Sequence, residues 1–286
     1  MPLRRLILLF VCTFALAAAE TPNEAAIALF KAKQYPDARA AFDKIVAAEP
    51  GNAEAHYYLG MIAKRRSDTD EAVRQLEQAT SLAPSNSEYF LDLGDAYGSA
   101  AGKAGLFSQI GLAKKCQAAL EKSVALDPNN LMARNGLVTY YRQAPTFVGG
   151  GLSKAYEQAA EIKKRDPLMG AQVYGQLYLV EKKYDEAFRT FEDVLKTAPD
   201  NYLSLYSIGR TAAQTGLRLE RGEQTLKRCL ELPPGKGEPG HAAVQWRLGN
   251  IAEKRGDPAG ARAHYEAGLK DDPNFPQLTE ALAKLK

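Results

Sequence analysis

Three histidines, three cysteines and two glycine-rich stretches are the residues of this chain whose types could support chemistry. His56, His241 and His264 include no pair four residues apart on a helix face. A metal centre needs that spacing or neighbouring thiolates, so no metal site is expected. Gly98-Ser99-Ala100-Ala101-Gly102-Lys103-Ala104 approaches a phosphate-binding loop, but it has three residues between its glycines and alanine after the lysine. A working loop of that kind has four residues there and a Ser or Thr to hold magnesium. The segment reads instead as a flexible connection between helices. Gly149-Gly150-Gly151 follows no strand, so it ends an irregular connection after Pro145 and is not a dinucleotide fingerprint. Acidic pairs such as Asp70-Glu71 and Asp271-Asp272 read as solvated helix ends. Cys116 and Cys229 fall on small inward positions, where free buried thiols are expected and no disulfide between them. No Ser-His-Asp or Cys-His set assembles. The expectation is a chain without cofactor, metal or catalytic centre.

The first twenty residues are a separate object. Arg4 and Arg5 precede the apolar run Leu6–Leu16, and Ala17-Ala18-Ala19 supplies small residues before Glu20. A basic start, an apolar centre and a small-residue exit describe a secretory signal at 1–19. The run to Ala19 is shorter than the roughly 20 residues that span a bilayer, so cleavage is expected over an uncleaved anchor. Lys and Arg number 37 against 34 Asp and Glu; loss of Arg4 and Arg5 leaves a net charge of +1. A nearly neutral protein lacks the electrostatic basis for holding nucleic acid. The expected location is outside the cytoplasm, in a bacterial periplasm.

The remaining residues are organised by a beat. Pro50, Pro84, Pro128, Pro167, Pro199, Pro234 and Pro273 each follow a small residue twelve positions earlier: Ala38, Ala72, Cys116, Ala155, Ala187, Gly222 and Ala261. A recurrence of this length marks a repeat array. In the stretch 53–86, apolar residues at steps of three and four predict two helices, the first carrying Leu59, Gly60 and Ala63, the second Ala72, Leu76 and Ala79. Gly60 and Ala72 predict the closest approach of the two helices, and Leu76 is expected to fill the gap toward the next unit. Each proline stops the second helix. Asn52, Ser85, Asn129, Asn201 and Asn274 are candidate caps for the next one.

These positions resemble the tetratricopeptide repeat, whose pattern has Leu at position 7, Gly at 8, Tyr at 11, Ala at 20, Phe at 24 and Pro at 32. Phe90, Leu93, Gly94 and Tyr97 match it; so do Tyr174, Gly175, Tyr178, Ala187, Phe191 and Pro199. Leu248, Gly249, Ala261, Tyr265 and Pro273 match again, and Ala38, Phe42 and Pro50 mark a weaker first unit. The resemblance implies an all-α, right-handed superhelical solenoid of seven helix-turn-helix units at about 20–52, 53–86, 87–130, 131–167, 168–201, 202–236 and 242–275, with a capping helix at 276–286. Excess length falls at 98–115, 143–153 and 234–240, as insertions that project from the array and carry recognition.

The resemblance also implies which side chains face a partner. First helices line a concave surface, and the matching positions here are Tyr57, Met61, Leu91, Asn135, Gln172, Gln176, Tyr206, Arg210, Trp246 and Asn250, with Arg142 nearby. Amides pair with a peptide backbone and aromatics supply contact area. The lysine-asparagine clamp with which some members hold C-terminal carboxylates is not supplied by any run of units. The function implied is an exported scaffold that binds a protein or peptide; attachment to the membrane as an envelope assembly factor, or an accessory role in an enzyme, are the alternatives.

Overall fold

Every proline of the beat except Pro167 sits in a loop between helix pairs, because a residue without an amide hydrogen cannot continue the preceding helix. The computed structural model describes residues 21–285, so the signal read at 1–19 lies outside the described residues. The helices are α1 (Pro22–Lys31), α2 (Tyr35–Ala48), α3 (Ala53–Arg65), α4 (Thr69–Leu82), α5 (Ser87–Lys103), α6 (Leu106–Leu126), α7 (Leu131–Gln143), α8 (Leu152–Arg165), α9 (Pro167–Val180), α10 (Tyr184–Thr197), α11 (Tyr202–Thr215), α12 (Leu219–Glu231), α13 (His241–Lys254), α14 (Pro258–Asp271) and α15 (Pro276–Lys284). Among the described residues there is no strand, and no helix is long and apolar enough to cross a membrane.

Each odd helix packs against the even helix that follows it, giving seven antiparallel pairs closed by α15 against α14. Odd helices of successive pairs also touch one another, whereas successive even helices form no such contacts. The array therefore curves with the odd helices inside and the even helices outside, the one-dimensional stacking of a solenoid. Leu278 of α15 is fully buried with Tyr265 and Ala261, sealing the last pair.

Small residues set the spacing within each pair. A Cβ on Gly60 would lie 2.7 Å from Leu76 Cγ, and one on Gly175 would lie 2.1 Å from Phe191 Cζ. Leu76 covers Gly60 within its own pair and clusters with Leu93, Ala96 and Tyr97 of the next unit, the gap it is expected to fill. The turn inside several pairs repeats a left-handed residue: Lys33 (φ 63°), Ser67 (φ 59°), Lys182 (φ 59°) and Gly256 (φ 73°).

Asn52, Asn86, Asn130 and Asn201 cap α3, α5, α7 and α11 through their side-chain oxygens. Asn52 and Asn201 match the sequence reading; Ser85 and Asn129 are displaced by the next residue, and α15 has no side-chain cap. Pro167 is a different correction. It opens α9 behind Asp166, which ends α8 and caps α9 at once. A proline in the first helical turn gives up an amide that has no partner there in any case.

The segment 98–115 is a second correction. It forms no flexible connection: α5 continues to Lys103, and only Ala104 and Gly105 separate it from α6. The added length makes these helices 17 and 21 residues long, against 13 and 14 in α3 and α4. Ala100 and Ala101 are buried there, so packing overrides the low helix propensity of Gly98 and Gly102. The segment after α7 is irregular, as read. It makes a 3-10 turn at Thr146–Val148, held by the Tyr140 hydroxyl donating to the Val148 carbonyl at 2.7 Å. Gly149 and Gly151 take φ of 99° and 149°, and a Cβ on Gly150 would sit 1.8 Å from the Ala144 carbonyl oxygen. All three glycines are therefore required by backbone geometry.

Candidate partner-binding groove

Two of the three insertions, 98–115 and 143–153, meet in one place. Between the inner helices α5 and α7 a cleft of about 920 Å³ opens, with α6 at its base. Gly98 and Gly102 of α5 leave exposed backbone on this side, beside Leu91, Asp95 and Ser99, while Gly94 one step earlier is covered by Leu120 of α6. The start of α6 contributes Leu106, Ile110 and Ala113; α7 contributes Met132, Asn135 and Thr139; the 3-10 turn contributes Phe147 and Val148. Leu106, Met132 and Phe147 are 70%, 60% and 75% exposed, and Phe107 beside them is 92% exposed. Large apolar side chains held this far into water around a concave, largely apolar cleft mark an interaction site.

One end of the cleft is acidic and rigid. Lys64 Nζ lies 2.6 Å from Asp92 Oδ1 and 2.8 Å from Asp95 Oδ2, linking α3 to α5. The Tyr57 hydroxyl donates to Asp92 Oδ2 at 2.8 Å, and the Tyr57 ring stacks on Tyr89 with centroids 4.4 Å apart. Burial, then the charge of Asp92, pushes the Tyr57 hydroxyl far above its ordinary pKa. Burial works against the charge on Lys64, yet the two aspartates hold its pKa above the usual lysine value. One lysine against two carboxylates leaves a net negative charge here.

The residues read from sequence as groove positions are divided by the structure. Leu91 and Asn135 line the cleft. Met61 and Arg142 are half-buried outside it, and Gln176 is exposed. Tyr57 is bound as above, so it joins the second and third units. Gln172 also bridges units, donating to Ser204 Oγ at 3.2 Å and accepting from Ser207 Oγ at 3.1 Å. Tyr206 is buried at 7% exposure, because α11 is covered closely by both neighbouring pairs; it is core, not groove. Trp246 leans on Phe275 of the cap, with centroids 6.1 Å apart, and Arg247 lies 3.7 Å over its ring. Asn250 donates to the Tyr265 hydroxyl at 2.9 Å. Arg210 is half-buried on α11. Met132, Phe147, Leu106 and Arg247 escaped the sequence reading; the apolar residues inside the insertions 98–115 and 143–153 were the available signal for Leu106 and Phe147.

The histidines are structural. His56 Nδ1 lies 2.6 Å from Gln75 Oε1 and Nε2 3.0 Å from the Pro50 carbonyl oxygen. His241 Nε2 lies 2.9 Å from the Leu232 carbonyl oxygen, and His264 Nδ1 2.9 Å from Gln245 Oε1. Among the described residues no three His, Cys, Asp or Glu side chains gather as metal ligands. Cys116 and Cys229 are free and buried.

Two tetratricopeptide-repeat family models match this chain, at residues 29–93 and 242–285. A tetratricopeptide repeat protein from Parabacteroides merdae superposes with a TM-score of 0.67 at 15% identity, covering 92% of this chain and 96% of that one. The human IFIT1 dimer with m7Gppp-AAAA gives 0.60 at 17%, over 93% of this chain and 62% of that one. Pseudomonas aeruginosa pilF gives 0.51 at 17%, over 81% and 97%. These identities show likeness of fold alone. A curated relative, the CTR9 homolog of Arabidopsis thaliana, is 31% identical over 130 residues, which is 46% of this chain and 11% of the relative's length.

Proposed function

The chain is a tetratricopeptide-repeat protein, and from that premise we propose that it is a binding scaffold that takes an apolar peptide segment of a partner protein into the cleft between its third and fourth units. Proteins built from this repeat are in general interaction scaffolds and not catalysts. The observation that carries the finer reading is the cleft itself, with its rim of exposed Leu106, Met132 and Phe147. The exposed Gly98 and Gly102 of α5 let a partner's backbone approach closely, and Asn135 and Thr139 offer donors and acceptors to it. The negative charge at the Asp92–Asp95 end favours a segment carrying a lysine or arginine beside its apolar residues.

The test is selection from a phage library of random peptides on the purified chain. Apolar peptides with one basic residue are expected to enrich, and Met132→Glu or Phe147→Glu to weaken them about tenfold, or ~1.4 kcal/mol. Both substitutions are at exposed positions, so the melting temperature should hold. No enrichment, or binding indifferent to both changes, would overturn the assignment.

The scaffold is proposed to act outside the cytoplasm, in a bacterial periplasm. The support is the Arg4-Arg5, Leu6–Leu16, Ala17–Ala19 sequence. The intact mass of the protein from cells should correspond to a chain starting at Glu20; a soluble cytoplasmic product retaining Met1 would refute export.

A further inference from the structure

The α5–α6 hairpin is longer than its neighbours, and all of the excess lies at its tip. Leu120 covers Gly94 as Leu76 covers Gly60, so the two pairs share one register. From Gly94, α5 runs nine residues on to Lys103; from Gly60, α3 runs five to Arg65. α6 starts fourteen residues before Leu120, and α4 seven before Leu76. At 1.5 Å per residue the tip stands about 6 to 10 Å beyond the neighbouring pair. Ala104 and Gly105 make the turn, and Leu106 and Phe107 follow as the first two residues of α6. Phe107 is 92% exposed and does not line the apolar cleft, so the cleft does not account for it. The exposed Phe147 joins this end through its 3-10 turn, which packs on α6.

The charge around the tip has one sign. From Ala96 to Leu120 the chain carries Lys103, Lys114 and Lys115 and no Asp or Glu; from Pro128 to Tyr156 it carries Arg134, Arg142 and Lys154 and again none. Arg134 and Lys115 are engaged by Gln158 and Glu77. Lys103 and Lys154 donate to backbone carbonyl oxygens, of Ser67 at 2.8 Å and Gly149 at 3.0 Å, so those contacts do not neutralise them. Lys114 is exposed seven residues after Phe107, on the same helix face. Asp70 and Glu77 of α4 line a separate hollow with Ser108 and Leu112, on a face of α6 turned from Phe107 and Lys114. Asp95 lies eight residues back along α5 from Lys103, about 12 Å at the helical rise.

We propose that the α5–α6 tip, with the turn that carries Phe147, docks on an anionic lipid bilayer surface. Phe107 and Leu106 enter the interface, and Lys103, Lys114 and Lys154 meet the headgroups. A projecting tip has no walls to enclose a peptide segment, whereas the boundary between headgroups and acyl chains receives exposed apolar side chains directly. Transfer of each apolar side chain out of water favours docking, and each lysine near the surface adds attraction to anionic lipid. The lysine stems keep their ammonium groups at the headgroup level while the apolar residues go deeper. This attachment is peripheral and is distinct from any anchoring through Leu6–Leu16. It goes beyond the cleft reading and does not depend on it. Leu106 and Phe147 also line the cleft, so the docked protein presents the cleft beside the bilayer.

The test uses the chain beginning at Glu20, which holds the whole described fold and lacks the apolar run Leu6–Leu16. It is mixed with vesicles of equal parts phosphatidylcholine and phosphatidylglycerol, or of phosphatidylcholine alone, and the bound fraction is read by sedimentation. Binding to the anionic vesicles is expected, weakened by salt, with little binding to the neutral ones. Phe107→Ser and Leu106→Ser change exposed positions, so the melting temperature should hold while each weakens binding about tenfold. Lys114→Glu should weaken it about fivefold. Phe107→Trp should gain a blue shift with anionic vesicles that the wild type, whose single tryptophan is Trp246 on α13, does not show. No binding to the anionic vesicles, equal binding to the neutral ones, or binding indifferent to both serine variants overturns the proposal. Self-association without lipid that Phe107→Ser abolishes would give the tip to a second copy of the chain and overturn it as well. Phe107 lies outside the cleft, so Phe107→Ser should leave peptide selection intact. Vesicle binding with no peptide enriched would sink the cleft reading and leave the docking tip standing.

Discussion

The ring of Tyr265 lies directly over Gly249: a Cβ at that glycine would come within 2.1 Å of Cε1. Tyr265 is fully buried and its hydroxyl is fixed by Asn250, so the ring cannot swing away. Gly249→Ala gains helix propensity of about 1 kcal/mol but forces an overpacked contact that costs more, typically 1–3 kcal/mol. A lower denaturation midpoint is expected. Gly102→Ala is the control, since nothing lies within 4 Å of a Cβ there; it should stabilise.

How far the sequence could be read follows from which contacts are local. Gly60, Ala72 and Pro84 report on one helix pair, whose packing depends on residues within one unit, so the pairs and their boundaries were legible. The cleft depends on two units and on where α5 stops. Glycine content between Gly98 and Gly105 argues for a loop, while burial of Ala100 and Ala101 against α6 decides for helix. Asn130 wins over Asn129 as a cap because its amide also reaches Ser87 and Glu88 of the preceding unit, at 2.9 and 3.0 Å. Tyr206 occupies a groove position in the repeat pattern, yet the tight α11–α13 contact turns it into core.

The Tyr57–Asp92–Lys64 link should behave as one unit. Lys64→Met and Asp92→Ala each leave an unmet group between α3 and α5, with an expected loss of about 1–3 kcal/mol. Removing both should cost less than the sum, and a double-mutant cycle measures the coupling. The folded pKa of Lys64 is raised above 10.5, so its contribution is complete below that value and is lost as pH rises through the folded one. Tyr57 acts in the same direction, because its neutral hydroxyl is the form that donates to Asp92. The wild-type stability should therefore fall more steeply in alkali than that of Asp92→Ala. Parallel curves would refute the link.

Burial pushes the Cys229 thiol up to about 12 and the Cys116 thiol up to about 11. The thiolate is the reactive form. Neither should react with Ellman's reagent near neutral pH in the folded protein, and Cys116, on the cleft wall, should respond first when the fold is loosened. After denaturation a chain cleaved before Glu20 should titrate Cys116 and Cys229 alone. A further equivalent from Cys12 would show that the N-terminal segment is kept.

His264 makes the last pair sensitive to acid. It is half-buried on α14 beside Gln245 of α13, and burial, followed by the charge on Lys227, holds its pKa below 6.5. The folded state thus disfavours the charged imidazole. Its stabilising effect is complete above the unfolded value, because both states are then neutral. As pH falls below that value the unfolded chain binds the proton first, and stability declines until the folded pKa is passed. The melting temperature should drop between about pH 7 and pH 5. His264→Gln keeps a polar side chain facing Gln245 but cannot titrate, so its curve over the same range should be flatter. An equal drop in the variant would assign the acid sensitivity to other groups and remove His264 as its source.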